Sequence, residues 1–244
     1  MMIVCTLISI ISIILFQKFF FRKKFIDKIN DRSSHSSIAT TSGGSSIYIT
    51  FLIFTLYYYL NANQIFDFSL LIPLSILFTV GLYDDIYQVD FKLKFIFQII
   101  VAKILIDYGF LIDSLNGFFG IYEISYMLSQ FLTTSVFLLI VNATNFSDGI
   151  DGLAITEVLK CLSLILIISP SNLLGLNNIF IAVIFTLIPL FYFNLKKTNK
   201  VFLGDSGSLF LGGIIFIGLI SLSLPEAINE TNIPFPLIVF ICFM

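Results

Sequence analysis

The sequence predicts an all-α, polytopic integral membrane protein with about eight complete transmembrane helices, a partial ninth and one extracytoplasmic loop or hairpin. Of its 244 residues, 58% are hydrophobic and only 11% are charged. Apolar runs of bilayer length recur along the chain, and each span needs about 20 such residues. A soluble domain would need far more polar surface than this composition supplies. We therefore treat residues 1–244 as a single membrane-embedded domain.

Four predicted spans fall in the first half of the chain. They cover residues 2–21, 47–60, 68–83 and 94–106, and the last is short unless 91–93 belong to it. A polar, basic and serine-rich segment that contains Gly43 and Gly44 separates the first two spans. After the fourth span, residues 108–126 alternate aromatic, glycine and polar side chains, which predicts an extended loop or small hairpin outside the bilayer.

Four more predicted spans follow, at 127–141, 153–168, 173–193 and 206–224. The final apolar run, 234–244, is too short to cross the membrane. At about 1.5 Å per residue it covers roughly half of the hydrocarbon core. We expect the sequence to be a C-terminally truncated part of a longer polypeptide that supplies further spans.

The basic residues indicate which side of the membrane each loop occupies. When the spans are counted off alternately, Lys and Arg fall in the loops at 18–32, 92–94 and 196–200, whereas the loops on the other side carry Asp and Glu but no Lys or Arg. An excess of Lys and Arg marks the cytoplasmic side. The candidate site residues all lie on that side: His35, Asp84, Asp85, Asn145, Asp148, Asp151 and Asp205.

The stretch 141–152, V-N-A-T-N-F-S-D-G-I-D-G, joins two predicted spans and carries three of these residues. Asn145, Asp148 and Asp151 recur at every third position, so they lie near one face if the stretch is helical. Gly149 and Gly152 allow a ligand or a neighbouring backbone to approach closely. Ionisable residues at a membrane boundary indicate a functional site.

The carboxylates on this side favour a hard metal ion. They would repel one another in a medium of low dielectric, so we expect a cation among them. The chain has one histidine, and its three cysteines lie in apolar segments without zinc-like spacing. Oxygen ligands favour Mg²⁺, with Mn²⁺ as the alternative. Residues 204–208, G-D-S-G-S, add N–H donors at a predicted helix N-terminus that suit phosphate oxygens. Together these features predict metal-assisted phosphoryl transfer.

Each residue also has an ordinary structural interpretation. Asp205 could be a helix N-cap, Asp84 and Asp85 could be the solvated end of a span, and His35 could make local hydrogen bonds in a serine-rich loop. A different functional class is a cation- or proton-coupled transporter, since membrane carboxylates serve those as well. Transporter carboxylates lie near mid-bilayer in broken spans, whereas these lie at span ends on one side. The convergence on one side favours a single site.

Four patterns carry a resemblance to a known family. They are D-D at 84–85, Lys94 with Gln98 four residues later, N-A-T-N-F-S-D-G-I-D-G-L-A at 142–154 and V-F-L-G-D-S-G-S at 201–208. In this order they resemble glycosyltransferase family 4, the polyprenyl-phosphate N-acetylhexosamine-1-phosphate transferases, which are related to phospho-N-acetylmuramoyl-pentapeptide transferase. D-R-S-S-H at 31–35, followed by Gly43 and Gly44, is similar to the first cytoplasmic loop of that family.

The resemblance implies transfer of a sugar 1-phosphate, an N-acetylhexosamine 1-phosphate, from a UDP-sugar such as UDP-N-acetylglucosamine to undecaprenyl phosphate, with release of UMP and with Mg²⁺. Such a reaction initiates cell-envelope polysaccharides, including O-antigen of lipopolysaccharide and cell-wall polymers. It implies a multi-pass protein of the bacterial inner membrane with its active site on the cytoplasmic side. The partners are these two substrates and the bilayer. Nucleic acid is not expected, because no basic cluster is interleaved with aromatic residues. The resemblance leaves open whether the protein is a homodimer.

The resemblance also implies roles for individual residues. Asp205 is the principal metal ligand. Asp84 and Asp85 act near the attacking lipid phosphate, one of them as a base, and Asp148 arranges the diphosphate with Asn145. The catalytic residues implied are thus Asp84, Asp85 and Asp148, and the substrate-binding residues are Lys94, Asn142, Asn145, Gly149, Asp151, Asn194, Phe202 and His35. Within that second group, Asp151 and Gly149 face the uridine, Asn194 and Phe202 line the base pocket, and Lys94 neutralises phosphate charge.

Two features depart from the family pattern. Ser42 stands where the first loop commonly has an arginine that contacts phosphate. His35 is the only histidine, whereas family members continue into a cytoplasmic histidine-rich loop and further spans. We therefore expect the site to be incomplete in this sequence, and an inactive truncated homologue is the alternative to an active transferase.

Overall fold

A computed structural model describes residues 2–26, 39–61, 70–169 and 173–223. His35 and the final apolar run, 234–244, lie outside these residues. The described part contains eight α-helices, one for each of the eight predicted spans, with ends that differ by a few residues. They are α1 Met2–Lys23, α2 Gly43–Leu60, α3 Leu71–Tyr87, α4 Phe91–Asp107, α5 Tyr126–Ser147, α6 Leu153–Ile168, α7 Leu174–Asn194 and α8 Gly204–Ser221.

The helices identify an integral membrane protein. Within the described residues, four helices are long and apolar enough to cross a bilayer: α1, α5, Gly175–Asn194 of α7, and α8. The helices α3, α4 and α6 have 16 or 17 residues each, which is at the lower limit for a span. A membrane protein is therefore supported, and eight complete spans stay a prediction.

Helix α8 forms the centre of the bundle. Every side chain from Ser206 to Ser221 is buried, and α8 packs against α2, α3, α5 and α6. Its apolar side chains occupy all sides of the helix, a pattern typical of a helix surrounded by others. The two outermost helices, α1 and α4, contact fewer neighbours, so they form opposite flanks around the α8 core.

Small residues allow α8 to approach its neighbours closely. A Cβ atom on Gly44 of α2 would lie 2.2 Å from the backbone nitrogen of Gly207, and one on Gly81 of α3 would lie 2.4 Å from the carbonyl oxygen of Asp205. Such contacts bring backbone against backbone, as is common between membrane helices. The first turn of α8 is therefore fixed on two sides by glycines.

We expect Gly44→Ala to lower the stability of the folded protein by about 3 kcal/mol, the upper part of the range for overpacking. The new methyl group would meet backbone atoms that cannot rotate away. Gly149→Ala is the matched control, because a Cβ there meets only the carbonyl oxygen of Phe146, at 3.5 Å. Thermal unfolding of both variants in the same detergent tests this. Equal melting temperatures for Gly44→Ala and Gly149→Ala would show that α2 and α8 separate easily.

Successive helices run in alternating directions, so the C-terminal ends of α1, α3, α5 and α7 meet the N-terminal ends of α2, α4, α6 and α8. We call this the site end of the bundle. The parallel arrangement of α1 and α7 illustrates the pattern: Ser9 Oγ donates to the Thr186 carbonyl oxygen (2.9 Å), and Gln17 Nε2 donates to the Asn199 carbonyl oxygen (2.7 Å). The alternation is the one that the sequence predicts.

A short strand pair adds to the predicted all-α fold. Strand β1, Ala39–Thr40, pairs in parallel with β2, Lys200–Val201. The pairing continues through Gly43, whose N–H donates to the Phe202 carbonyl oxygen at 2.9 Å, and Gly44, whose N–H donates to that of Leu203 at 2.8 Å. Gly43 and Gly44 begin α2 and are not part of the loop that the sequence predicts. The first loop is thus bonded directly to the segment that leads into α8.

The loop between α4 and α5 lies at the opposite end from the site end. It contains a single 3₁₀ turn, Phe118–Gly120. The N–H of Ile124 donates to the carbonyl oxygen of Asp113 (2.9 Å), and that of Gly117 donates to Ile121 (3.0 Å). These bonds fold the segment back on itself, in agreement with the predicted extended loop or small hairpin.

Candidate active site

Two carboxylates, one from α3 and one from the turn after α5, cap the N-terminus of α8. Asp85 of α3 accepts from the N–H groups of Asp205 (2.8 Å) and Ser206 (3.0 Å), and Asp148 accepts from that of Gly204 (2.9 Å). The first N–H groups of a helix lack partners within it and carry partial positive charge, so carboxylates are favourable there. Three of the five backbone N–H groups at 204–208 that the sequence predicts as phosphate donors are therefore already engaged in this structure, because Asp85 and Asp148 accept from them.

Lys94 connects the two remaining carboxylates. Its ammonium nitrogen lies 2.7 Å from Asp84 Oδ2 and 2.6 Å from Asp205 Oδ2. The Lys94 and Asp84 side chains are 12% and 13% exposed, whereas that of Asp205 is 30% exposed. The cation that the sequence predicts among these carboxylates is thus supplied in part by the protein, from the first turns of α4. Asp205 keeps the largest accessible surface of the three.

Asn145, in the last turn of α5, positions Asp205 from the other side. Its Nδ2 atom donates to Asp205 Oδ1 (2.6 Å) and to Ser208 Oγ (2.8 Å). Both carboxylate oxygens of Asp205 are therefore directed by neighbours, one by Asn145 and one by Lys94. This arrangement holds the carboxylate in a fixed orientation at the head of α8.

The cluster has an excess of negative charge. It contains the four carboxylates Asp84, Asp85, Asp148 and Asp205, and one ammonium, Lys94. Burial raises the pKa of Asp148 well above its usual range, the charges of Asp85 and Asp205 raise it further, and the Gly204 N–H opposes this. A site with this charge favours a cationic ligand or a proton.

The stretch 141–152 is not one continuous helix. The condition under which Asn145, Asp148 and Asp151 would lie on one face is therefore not met. Helix α5 ends at Ser147 and α6 begins at Leu153, so residues 148–152 form a turn. Asp148 contacts α8, but Asp151 forms an ion pair with Lys200 next to the strand pair. The structure therefore brings Asn145 and Asp148 to the cluster and places Asp151 beside it.

Asn194 and Gly152 hold this turn against the end of α7. Asn194 is 2% exposed. Its Oδ1 accepts from the Gly152 N–H (2.6 Å), and its Nδ2 donates to the Val201 carbonyl oxygen (3.1 Å). Gly152 has φ of +75°, which favours glycine. Both polar atoms of the Asn194 amide are engaged with backbone, so a role for Asn194 in a base pocket stays a prediction.

These motifs belong to a family whose model, "Glycosyl transferase family 4", matches residues 67–223. The chain belongs to glycosyl transferase family 4. Its match runs from before α3 to the end of α8 and contains the whole carboxylate cluster. The family therefore supports the predicted resemblance over the part of the chain that builds the site.

Individual family 4 proteins are similar over most of this chain. A probable undecaprenyl-phosphate N-acetylglucosaminyl 1-phosphate transferase of Bacillus subtilis is 31% identical over 226 residues, 88% of this chain and 60% of the relative. An undecaprenyl-phosphate alpha-N-acetylglucosaminyl 1-phosphate transferase of Escherichia coli K12 is 31% identical over 84% of this chain and 59% of the relative. A phospho-N-acetylmuramoyl-pentapeptide-transferase of Chlamydia felis is 26% identical over 72% and 58%. This chain spans about three fifths of the length of these relatives.

Three other predicted site residues of this family 4 chain lie at the margin of the cluster or outside it. Gly149 is exposed in the turn, and Phe202 is partly buried after β2 with Lys200 Nζ 5.8 Å from its ring centroid. Asn142 is one turn deeper in α5, where its amide pairs reciprocally with that of Gln98 at 2.9 and 3.3 Å. His35 lies outside the described residues. The roles of these four residues stay predictions.

Sequence reasoning did not assign three side chains that contact predicted site residues. Ser208 accepts from Asn145, Lys200 pairs with Asp151, and the buried Gln98 pairs with Asn142. Ser208 is the last residue of the G-D-S-G-S motif, and Lys200 directly precedes the longer pattern V-F-L-G-D-S-G-S. Gln98 follows Lys94 by one helical turn. Each of the three lies close in sequence to a predicted motif, but the sequence does not show which residue it contacts in the fold.

The donors present fit Mg²⁺ in chemical type. Among residues 2–26, 39–61, 70–169 and 173–223, no three His, Cys, Asp or Glu side chains are arranged to hold one metal ion. Mg²⁺ is commonly bound by one or two carboxylates, with waters and substrate phosphates completing its octahedron. Asp205, the more exposed carboxylate, and Asp84, which shares Lys94 with it, are the two that could serve as protein ligands. Asp85 and Asp148 are committed to the α8 backbone.

Proposed function

We propose that this family 4 chain transfers a sugar 1-phosphate from a UDP-sugar to undecaprenyl phosphate and releases UMP. The observation that carries the proposal is the group of Asp84, Lys94, Asn145 and Asp205 at one end of a membrane bundle, in a chain whose relatives are named for this reaction. The names of the relatives support N-acetylglucosamine 1-phosphate as the group transferred. The transporter alternative is disfavoured, because the carboxylates lie at helix ends.

The reaction is an exchange at one phosphorus atom. In the direct form of the reaction, to which a covalent aspartyl intermediate is the alternative, an oxygen of the lipid phosphate attacks the sugar-bearing β-phosphorus of the UDP-sugar and forms a new P–O bond. The bond from that phosphorus to the oxygen bridging to UMP breaks, and UMP leaves with the electron pair. Both substrates are anionic at pH 7, so the chief task of the protein is to place two phosphate groups together and to balance their charge.

The residues divide that task. Lys94 is the cation that lies in the cluster and contacts Asp84 and Asp205, and it is placed to neutralise phosphate charge as those groups arrive. Asn145 orients Asp205. Asp84 accepts a hydrogen bond from the backbone N–H of Val89, and we assign to it the role near the lipid phosphate. The carboxylates Asp85 and Asp148 keep the N-terminus of α8 in position.

Asp205, with Asp84, would hold Mg²⁺. When bound, Mg²⁺ supplies positive charge that stabilises the phosphate oxygens during transfer. Release of UMP from UDP-N-acetylglucosamine and undecaprenyl phosphate by the purified chain, with Mg²⁺ and with EDTA, tests the proposal. UMP that forms only when both substrates and the divalent ion are present supports it. UDP-sugar hydrolysis that does not depend on the lipid contradicts it.

We propose that the site end lies on the cytoplasmic side, because the loops at this end carry the Lys and Arg residues. In a variant whose native cysteines are replaced, we expect cysteine at Gln88 or Thr198 to resist an impermeant thiol reagent in intact cells. Cysteine at Glu123, in the loop at the opposite end, should react. All three positions are exposed, so a difference in labelling reports the side of the membrane. Reaction of Gln88 and Thr198 from outside would reverse the orientation.

A further inference from the structure

Six basic side chains form a surface at the site end, apart from the carboxylate cluster. Four of them, Lys18, Arg22, Lys23 and Lys24, belong to the last turns of α1 and the turn after it, and two, Lys196 and Lys197, follow α7. We call this group the α1–α7 basic surface. All are exposed except Lys196, which is partly buried.

The two halves of this surface are held side by side. Helices α1 and α7 run in the same direction and are joined by the Ser9 to Thr186 bond within the bundle and by the Gln17 to Asn199 bond near its end. Gln17 directly precedes Lys18, and Asn199 lies two residues after Lys197. The cations of α1 and those after α7 therefore occupy one continuous region of the surface.

Within the described residues, these cations have no carboxylate partner. Residues 2–26 and 173–203 contain no Asp or Glu, and none of the ion pairs in the described part involves these six side chains. Asp151 contacts Lys200, which follows Lys197 closely in the chain, and its carboxylate is paired with that lysine. The charge of the α1–α7 basic surface is thus uncompensated by described protein groups.

Aromatic rings lie beside the cations of this surface. Lys196 Nζ lies 3.8 Å from the ring centroid of Phe193 and 5.0 Å from that of Tyr192, and Phe19 on α1 is 49% exposed. Tyr next to Lys and Arg at the end of an apolar helix is typical of the boundary between hydrocarbon and water. Such a surface meets phosphate groups of the membrane before it meets solutes.

We propose that the α1–α7 basic surface binds the headgroups of anionic phospholipids in the leaflet that faces the site end. Juxtamembrane basic residues gain about 1 kcal/mol each near an anionic membrane surface. Cations at a helix C-terminus also interact favourably with the helix dipole, but that interaction does not discriminate between lipids. The binding is independent of the transferase reaction, since it uses none of the residues of the carboxylate cluster.

The test is lipid selectivity of the purified full chain in nanodiscs of phosphatidylcholine containing a minority of phosphatidylglycerol. Spin-labelled phosphatidylglycerol and phosphatidylcholine report which lipid the protein retains. We expect the wild type to prefer phosphatidylglycerol and the variant Arg22→Gln/Lys23→Gln/Lys196→Gln/Lys197→Gln to lose at least about fivefold of that preference. Lys103→Gln, which removes an exposed cation that lies at the other end of α4 and is already paired with Asp107, should leave the preference unchanged.

Two further measurements on the wild type test the proposal even if the fourfold variant is unstable. The preference of the wild type should fall as NaCl is raised, because salt screens charges at the surface. Inorganic phosphate at the same ionic strength should displace no more phosphatidylglycerol than NaCl does. Displacement by phosphate at low concentration would identify a soluble phosphate site instead. Equal retention of the two lipids by the wild type would overturn the proposal.

Discussion

Asp205→Asn is expected to lower the rate of transfer by roughly 10³-fold, comparable to the loss of a principal electrostatic contact in other active sites. The change keeps the size of the side chain but removes the charge that faces Lys94 at 2.6 Å. It also places an amide NH₂ group near either Lys94 or the Asn145 amide, both of which are donors. UMP release under saturating substrates measures the rate, and Mn²⁺ binding without substrates measures the divalent site separately.

Asp107→Asn is the matched control for Asp205→Asn. Asp107 pairs with Lys103 at the other end of α4, and both side chains are more than half exposed, so the pair contributes little. Its loss should leave transfer and divalent binding unchanged. If Asp205→Asn keeps the wild-type rate and the wild-type affinity for Mn²⁺, Asp205 is a helix-terminal residue without a catalytic role.

The sequence predicted which residues form the carboxylate cluster better than it predicted the contacts among them. Each member lies at the end of an apolar stretch, and alternation of the helices is enough to bring such ends together. For the members of the cluster, the sequence does not predict where each side chain points. Asn145 and Asp148 reach α8, and Asp151 turns away to Lys200, because α5 ends at Ser147 instead of continuing.

The helices were predictable for a related reason. The range 153–168 agrees with α6 at both ends, because Gly152 on one side and Ser169 with Pro170 on the other bound an unbroken apolar run. The strand pair was not predictable. Two residues carry no periodicity, and the partners Thr40 and Val201 lie far apart in the chain.

Asp84 and Asp85 show the same limit within one dipeptide. Consecutive residues of a helix point roughly 100° apart, so the two side chains cannot make the same contacts with α8. The structure directs Asp85 to the α8 backbone and Asp84 to Lys94. The pair D-D in the sequence suggests two equivalent carboxylates, whereas the fold gives them different partners.

We expect Asp85→Asn to destabilise the folded protein by about 2–3 kcal/mol, since the amide can accept from only one of the two N–H groups of α8 and turns its own NH₂ toward the other. Asp84→Asn should cost about 1 kcal/mol, because Lys94 retains Asp205 and the amide oxygen can still accept from Val89. Both variants should lose transfer activity, Asp84→Asn through the reacting groups and Asp85→Asn through displacement of Asp205.

Thermal unfolding and UMP release, measured on the same preparations, separate the two carboxylates. The expected result is an inactive Asp84→Asn protein with a melting temperature close to that of the wild type and an inactive Asp85→Asn protein with a clearly lower one. An Asp85→Asn protein that melts with the wild type yet fails to transfer would instead assign Asp85 to the reacting groups, and the capping of α8 would then depend on Asp148 alone.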